Sequence, residues 1–309
     1  MIKIFINTIL PLFAIVIFGY LLKRKNIITA EWMDIANKLT YYIAIPAVLI
    51  KSLTSNKLNE VFSLKIAFSV AVSIIMITII SFLIGNFFLK LPLPRRATFI
   101  HSSFHGNIGY MAYAVAYYAL SSKNFHNVVV VSSFLIIFQN FLGAIVLTLH
   151  KQKIEIEKIL NIIGATIIKN PIIISVIIGC SLSYYNVKLP LSLTRFIKIL
   201  ADMGLPTALF LIGSNLMFGK IRYFWKELSI LSILKLLVLP MIGLVIAKTI
   251  GLQEIFLLPL MILLASPGAT VTYVMASQIE GSPELASANV SLQTLLCALS
   301  YSIVLSIFV

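Results

Sequence analysis

Ten apolar stretches, each about as long as a bilayer is thick, run almost end to end through this chain. They cover residues 4–22, 35–53, 64–89, 97–120, 128–149, 159–184, 196–218, 228–250, 255–278 and 285–309. A helix needs roughly 20 apolar residues to cross the hydrocarbon core. Lipid offers no partner to backbone polar groups, so only helices and closed barrels span it. Barrel strands are about 10 residues long and alternate in polarity, and these stretches do neither. The expected fold is an all-α polytopic membrane protein of about ten transmembrane helices. Of 309 residues, 60% are apolar and 11% charged, against about 25% charged in a soluble domain. So few charges cannot coat a soluble globule of this size, and no room remains for a separate soluble domain. Only Lys3 precedes the first stretch, with no small-residue cleavage site, so it reads as a span rather than a signal peptide.

The net charge of +14 would suggest nucleic acid in a soluble protein. Here it marks the cytoplasmic membrane surface, where Lys and Arg accumulate, and no nucleic-acid partner is expected. One set of alternate loops holds Lys23, Arg24, Lys25; Lys90, Arg95, Arg96; Lys151, Lys153, Lys158; and Lys220, Arg222, Lys226. The other set holds Lys3, Lys51, Lys57, Lys123, Lys188 and Lys248. Placing the basic set inside puts both termini on the extracytoplasmic side of the cell membrane. The loop from Glu280 to Glu284 then falls inside although it is acidic. Cys180 and Cys297 lie in apolar stretches and form no disulfide or metal framework. No metal and no cofactor is expected beyond a coupling H⁺ or Na⁺.

The two halves of the chain repeat at an offset of 160. Pro11 matches Pro171, Gly19 matches Gly179, and Pro46 matches Pro206. IPAVLIKSL from Ile45 aligns with LPTALFLIG from Leu205, and GNIG at Gly106 falls on SPGA at Ser266. The expected units are residues 1–150 and 161–309, joined by a cytoplasmic linker at 151–160. Five spans is an odd number, so the second unit must lie inverted. Inverted repeats typify secondary transporters, whose substrates bind near the midplane where broken helices meet.

Spans four and nine carry polar clusters at their middles: Ser102, Ser103, His105, Gly106, Asn107 and Gly109 in one, Ser266, Pro267, Gly268, Thr270 and Thr272 in the other. Each cluster lies about a dozen residues in, roughly 18 Å deep at 1.5 Å per residue. Proline opposes a continuous helix and glycine frees the backbone. Two breaks there would aim two half-helix N-termini at one point, each with about half a positive charge and free N–H groups. That arrangement suits an anion, particularly a carboxylate. Pro11, Pro171 and Pro240 read as simple kinks.

The five-span halves, GNIG at 106–109 and the run SPGATVTYVMASQIEGSPELASANVSLQTLL from Ser266 resemble the auxin efflux carrier family. That family includes plant PIN-type carriers and prokaryotic malate-permease-like proteins, and the resemblance covers essentially the whole chain. It implies a scaffold of spans 1, 2, 6 and 7, and a transport unit of spans 3–5 and 8–10. It also implies an elevator-like movement, a homodimer through the scaffold and an organic-anion substrate. Asn107 matches the family's crossover asparagine and Pro267 its span-nine proline. The family pattern N-x-G-x-x-G-x-P is not kept at Ala112 and Ala114. The long central loop of the plant proteins is absent, so auxin is not implied.

The expected anion-binding residues are Gly106, Asn107, Gly109, Pro267, Gly268 and Thr270, with Asn140 and Gln293 from spans five and ten. Like Gln139, those two amides either line the site or bond between helices. Asp202, one turn before Pro206, is an acidic residue inside an apolar run, where carboxylates are costly. It is the candidate to couple Na⁺ or H⁺, or else pairs with a lysine. Lys235 lies inside span eight, where it either snorkels to the cytoplasmic surface or serves as a functional cation. His101 and His105 are one turn apart, with no third metal ligand evident. No HExxH, GxSxG or paired membrane aspartates suggest an enzyme, and a channel would need a continuous polar stripe. The expected function is secondary transport of a small organic anion. A bile-acid-type symporter and a non-transporting sensor are the alternatives.

Overall fold

The computed structural model describes residues 2–54, 64–148, 164, 170–278 and 280–308. Among them all regular structure is helical, apart from one isolated bridge between Gly106 and Gly268. Six helices are long and apolar enough to cross a membrane: Phe5–Arg24 (α1), Leu64–Phe88 (α3), Asn124–Thr148 (α5), Leu191–Ser214 (α7), Trp225–Thr249 (α8) and Pro283–Phe308 (α10). Between them lie a helical path at 30–54 (α2), Leu93–Phe104 (α4a), 108–119 (α4b), Pro171–Tyr184 (α6), Glu254–Leu264 (α9a) and Val271–Gln278 (α9b). The expected linker at 151–160, with Lys151, Lys153 and Lys158, lies outside the described residues. So do Lys57 and most of the start of the sixth apolar stretch.

Local sequence explains the helix ends and irregularities. Thr29 caps α2, its Oγ1 accepting from the Trp32 N–H at 3.2 Å. Asn170 caps α6, its Oδ1 accepting from the Ile172 N–H at 2.9 Å. Pro171 is therefore the first residue of a helix, where a missing N–H costs nothing, and not the kink expected. Pro11 and Pro240 each closely follow a π-helical turn, Phe5–Ile9 and Leu234–Val238. Such a turn absorbs the hydrogen bond a proline removes.

The helices pack in two groups. In one, α7 lies along α1 and α2, and α6 lies on α2. A Cβ on Gly19 would strike the Phe210 carbonyl, and one on Gly213 the Val16 carbonyl. The α1 and α7 backbones thus touch, the close approach that small residues permit between membrane helices. In the other group, α3 packs on α4a, α5 and α8, while α10 packs on α4a, α8 and α9b. A seam runs between the groups where α2 and α6 meet α5, and α7 meets α4b. Ile17, Phe18, Phe82, Ile199, Met241 and Val245 face outward, as lipid-facing side chains do.

Candidate functional site

Both helices break where the glycine and proline clusters fall. Between α4a and α4b, His105 and Asn107 leave the helical region, with ψ of 99° and 75°. The alanines at 112 and 114 do not prevent this break. Instead the first turn of α4b, Ile108–Ala112, is π-helical. The two non-helical segments then pair with each other. The Asn107 N–H donates to the Pro267 carbonyl at 2.7 Å, and the Ala269 N–H to the His105 carbonyl at 3.2 Å. These bonds flank the antiparallel bridge between Gly106 and Gly268.

The bridge needs both glycines. A Cβ at Gly106 would strike the Ser266 hydroxyl and come 3.2 Å from Lys235 Nζ. A Cβ at Gly268 would lie 2.9 Å from Asn289 Nδ2 and 3.0 Å from Gln293 Oε1. A glutamine serves each glycine. Gln139 Oε1 accepts from the Gly106 N–H at 3.1 Å, and its Nε2 donates to the Gly106 carbonyl at 3.3 Å. Gln293 Oε1 accepts from the Gly268 N–H at 2.8 Å, and its Nε2 donates to the Leu231 carbonyl at 3.1 Å.

A cavity of about 360 Å³ opens between the bridge and the helices of the other packing group. Asn107, Gly109 and Tyr110 line it from the start of α4b, Thr270 and Val271 from the start of α9b, and Asn140 from α5. Asn37 and Tyr41 of α2 and Asn170 face them. The first N–H groups of a helix have no partner four residues back and carry its positive end. Among the described residues no Asp, Glu, Lys or Arg lines this space. Its polarity comes from backbone and side-chain amides, the Tyr41, Tyr110 and Thr270 side chains and the His105 ring, and such donors suit a small anion.

Of the candidate residues, Gly106, Asn107, Gly109, Asn140 and Thr270 are thus brought together around one cavity. Pro267 and Gly268 form the bridge itself without lining the cavity. Gln293 is fully buried; both ends of its amide are used on backbone, so it supports the break instead of facing a ligand. Asn37, Tyr41, Tyr110 and Asn170 were not foreseen. Tyr110 donates to Asn37 Oδ1 at 2.7 Å across the seam, a contact that no local pattern encodes.

Lys235 does not snorkel. It is 1% exposed, and its Nζ donates to the carbonyl of Leu264, the last residue of α9a, at 2.7 Å. Asp202 adopts the lysine pairing that was the alternative to coupling. Its carboxylate oxygens lie 2.9 Å from Lys51 Nζ and 2.6 Å from Lys198 Nζ. It lines a separate cavity of about 560 Å³ with Tyr117, Tyr118 and Pro206. His101 Nε2 and His105 Nδ1 are 2.8 Å apart and both rings are buried. No group of three metal-ligating side chains occurs among the described residues.

A profile of a family described as membrane transport protein matches residues 4–305. The "Putative malonate transporter" of Rhizobium meliloti (strain 1021) is 26% identical over 295 residues, covering 93% of this chain and 91% of that protein. An uncharacterized transporter of Methanocaldococcus jannaschii is 22% identical over 297 residues, 93% of this chain and 94% of its own length. The lysosomal cholesterol signaling protein of Mus musculus is 26% identical over 76% of this chain, but that match spans only 29% of the mouse protein. The family description and two of these three names are those of transporters and not of enzymes. The family match runs through both broken helices and nearly the whole chain, and the protein therefore belongs to this membrane transport family, the auxin efflux carrier family.

Proposed function

We propose that this protein is a secondary active transporter carrying a small carboxylate anion across the cell membrane by an elevator-like alternating-access movement. The observation that carries the reading is the cavity at the bridge, where two half-helix N-termini and the Asn107 amide meet with no Asp, Glu, Lys or Arg among the described lining residues. In this reading residues 1–150 and 161–309 are inverted five-span repeats, and both termini are extracytoplasmic. The offset of 160 and the matching breaks in α4 and α9 support it. The group of α1, α2, α6 and α7 serves as scaffold and homodimer contact while the other group moves. The seam offers a cavity toward each end: α2 lines one at Asn37–Tyr41 and the other at Val48–Ser52. Those points are about 11 residues apart, roughly 17 Å along a helix.

The name of the rhizobial relative makes malonate the first probe. Calorimetry should find malonate binding to the purified full chain, and proteoliposomes should show saturable uptake. Failure of malonate and of other mono- and dicarboxylates to bind would sink the anion reading. The match to a signaling protein favours a non-transporting sensor as the second reading, and tight binding without flux would select it. Coupling of Na⁺ at Asp202 would have to compete with two lysines already in contact. Orientation is checked by labelling whole cells: Lys188→Cys should react with an impermeant thiol reagent from outside, and Arg222→Cys should not.

A further inference from the structure

Lys235 is the one feature of the crossing that an anion cradle of backbone dipoles does not need. An ammonium inside a membrane protein is costly unless it meets a partner. Among the described residues no carboxylate lies within ion-pair distance of it. Its bonded partner is the carbonyl of Leu264, at the negative end of α9a. Around it stand Gly106 and Ser266, with His105 and Cys297 as the nearby titratable groups. Unwound carbonyls and half-helix C-termini in broken transporter helices are the places where coupling cations bind. In this chain a side chain already occupies such a place.

We infer that Lys235 is a tethered cation. Its ammonium takes the position of a co-transported ion at the carbonyl end of α9a, and its charge helps hold the anion next to the Gly106–Gly268 bridge. Anion binding therefore needs no Na⁺. The inference rests on the carboxylate reading for its second half only.

Two measurements on the full chain test it. The first needs no substrate. The parent should melt at the same temperature in NaCl as in N-methylglucamine chloride, while Lys235→Ala should melt lower and recover in methylammonium or Na⁺. A parent stabilised by Na⁺ overturns the inference. So does a Lys235→Ala chain that neither cation restores, or one that fails to fold even with methylammonium present. The second is malonate calorimetry. Parent affinity should be indifferent to Na⁺. Lys235→Gln keeps a donor for Leu264 but loses the charge, and should bind about tenfold more weakly or worse. Unchanged affinity in Lys235→Gln makes the lysine a structural tie and ends the proposal. If malonate fails to bind the parent, the substrate reading falls, and the melting comparison still decides whether Lys235 replaces an ion.

Discussion

The two cavities along the seam are polar for opposite reasons. The one at the bridge is lined by neutral amides and by the starts of two half-helices, with no Asp, Glu, Lys or Arg among its described lining residues. The other holds Lys51 and Asp202, with Lys198 paired to the same carboxylate. In the second, the charges already satisfy one another and are partly exposed, where such pairs are worth about 0–1 kcal/mol. An arriving ion there must first displace a partner. In the first, the dipoles are fixed by the backbone, with no salt bridge to break. A preorganised polar site of that kind attracts an ion at little cost in rearrangement. Formal charge among the lining residues is thus a poor guide to which of the two cavities can hold an anion.

The sharpest way to break this comparison is Gly106→Val. Its side chain would enter the space of the Ser266 hydroxyl and Lys235 Nζ; overpacking of this sort costs about 1–3 kcal/mol, here concentrated on the bridge. Malonate uptake in proteoliposomes should vanish at matched folded protein, and parent-like uptake would disprove the role of the bridge. Asn107→Ala comes next. Losing one hydrogen bond to a charged ligand costs about 1.5–3 kcal/mol, or roughly 10- to 150-fold in affinity, as calorimetry should record. Pro267→Ala should let α9 regain helix, drawing the 267 carbonyl away from the Asn107 N–H, and reduce uptake more than it reduces folded yield. The smallest effect belongs to the other cavity. Asp202→Asn should leave malonate affinity within about fivefold of the parent, in line with a partly exposed pair. A loss as large as that of Asn107→Ala would erase the distinction between the two cavities.

Much of this was legible along the chain because its causes are local. Apolar length marks α1, α3, α5, α7, α8 and α10 without reference to any neighbour. GNIG and SPGA mark the breaks because glycine and proline act on their own backbone. The errors fall where a residue's fate depends on what covers it. Gln139 and Gln293 are the same side chain next to equivalent glycines, yet only Gln139 faces the cavity. A proline alone reads as a kink at 171; it is the cap by Asn170 that makes Pro171 the start of a helix.

The sequence by itself determined that this is a membrane protein of long helices with two midspan interruptions. Those properties follow from the cost of exposing backbone to lipid and from the conformational limits of single residues. Only the tertiary structure decided that the interruptions bond to each other, that Asn37 and Asn170 complete the cavity, and that Lys235 turns inward. Each of these depends on two segments far apart in the chain meeting at one depth. For Lys235, the Leu264 carbonyl offers a nearby partner that the solvated surface, reached only through a packed core, would otherwise have to provide.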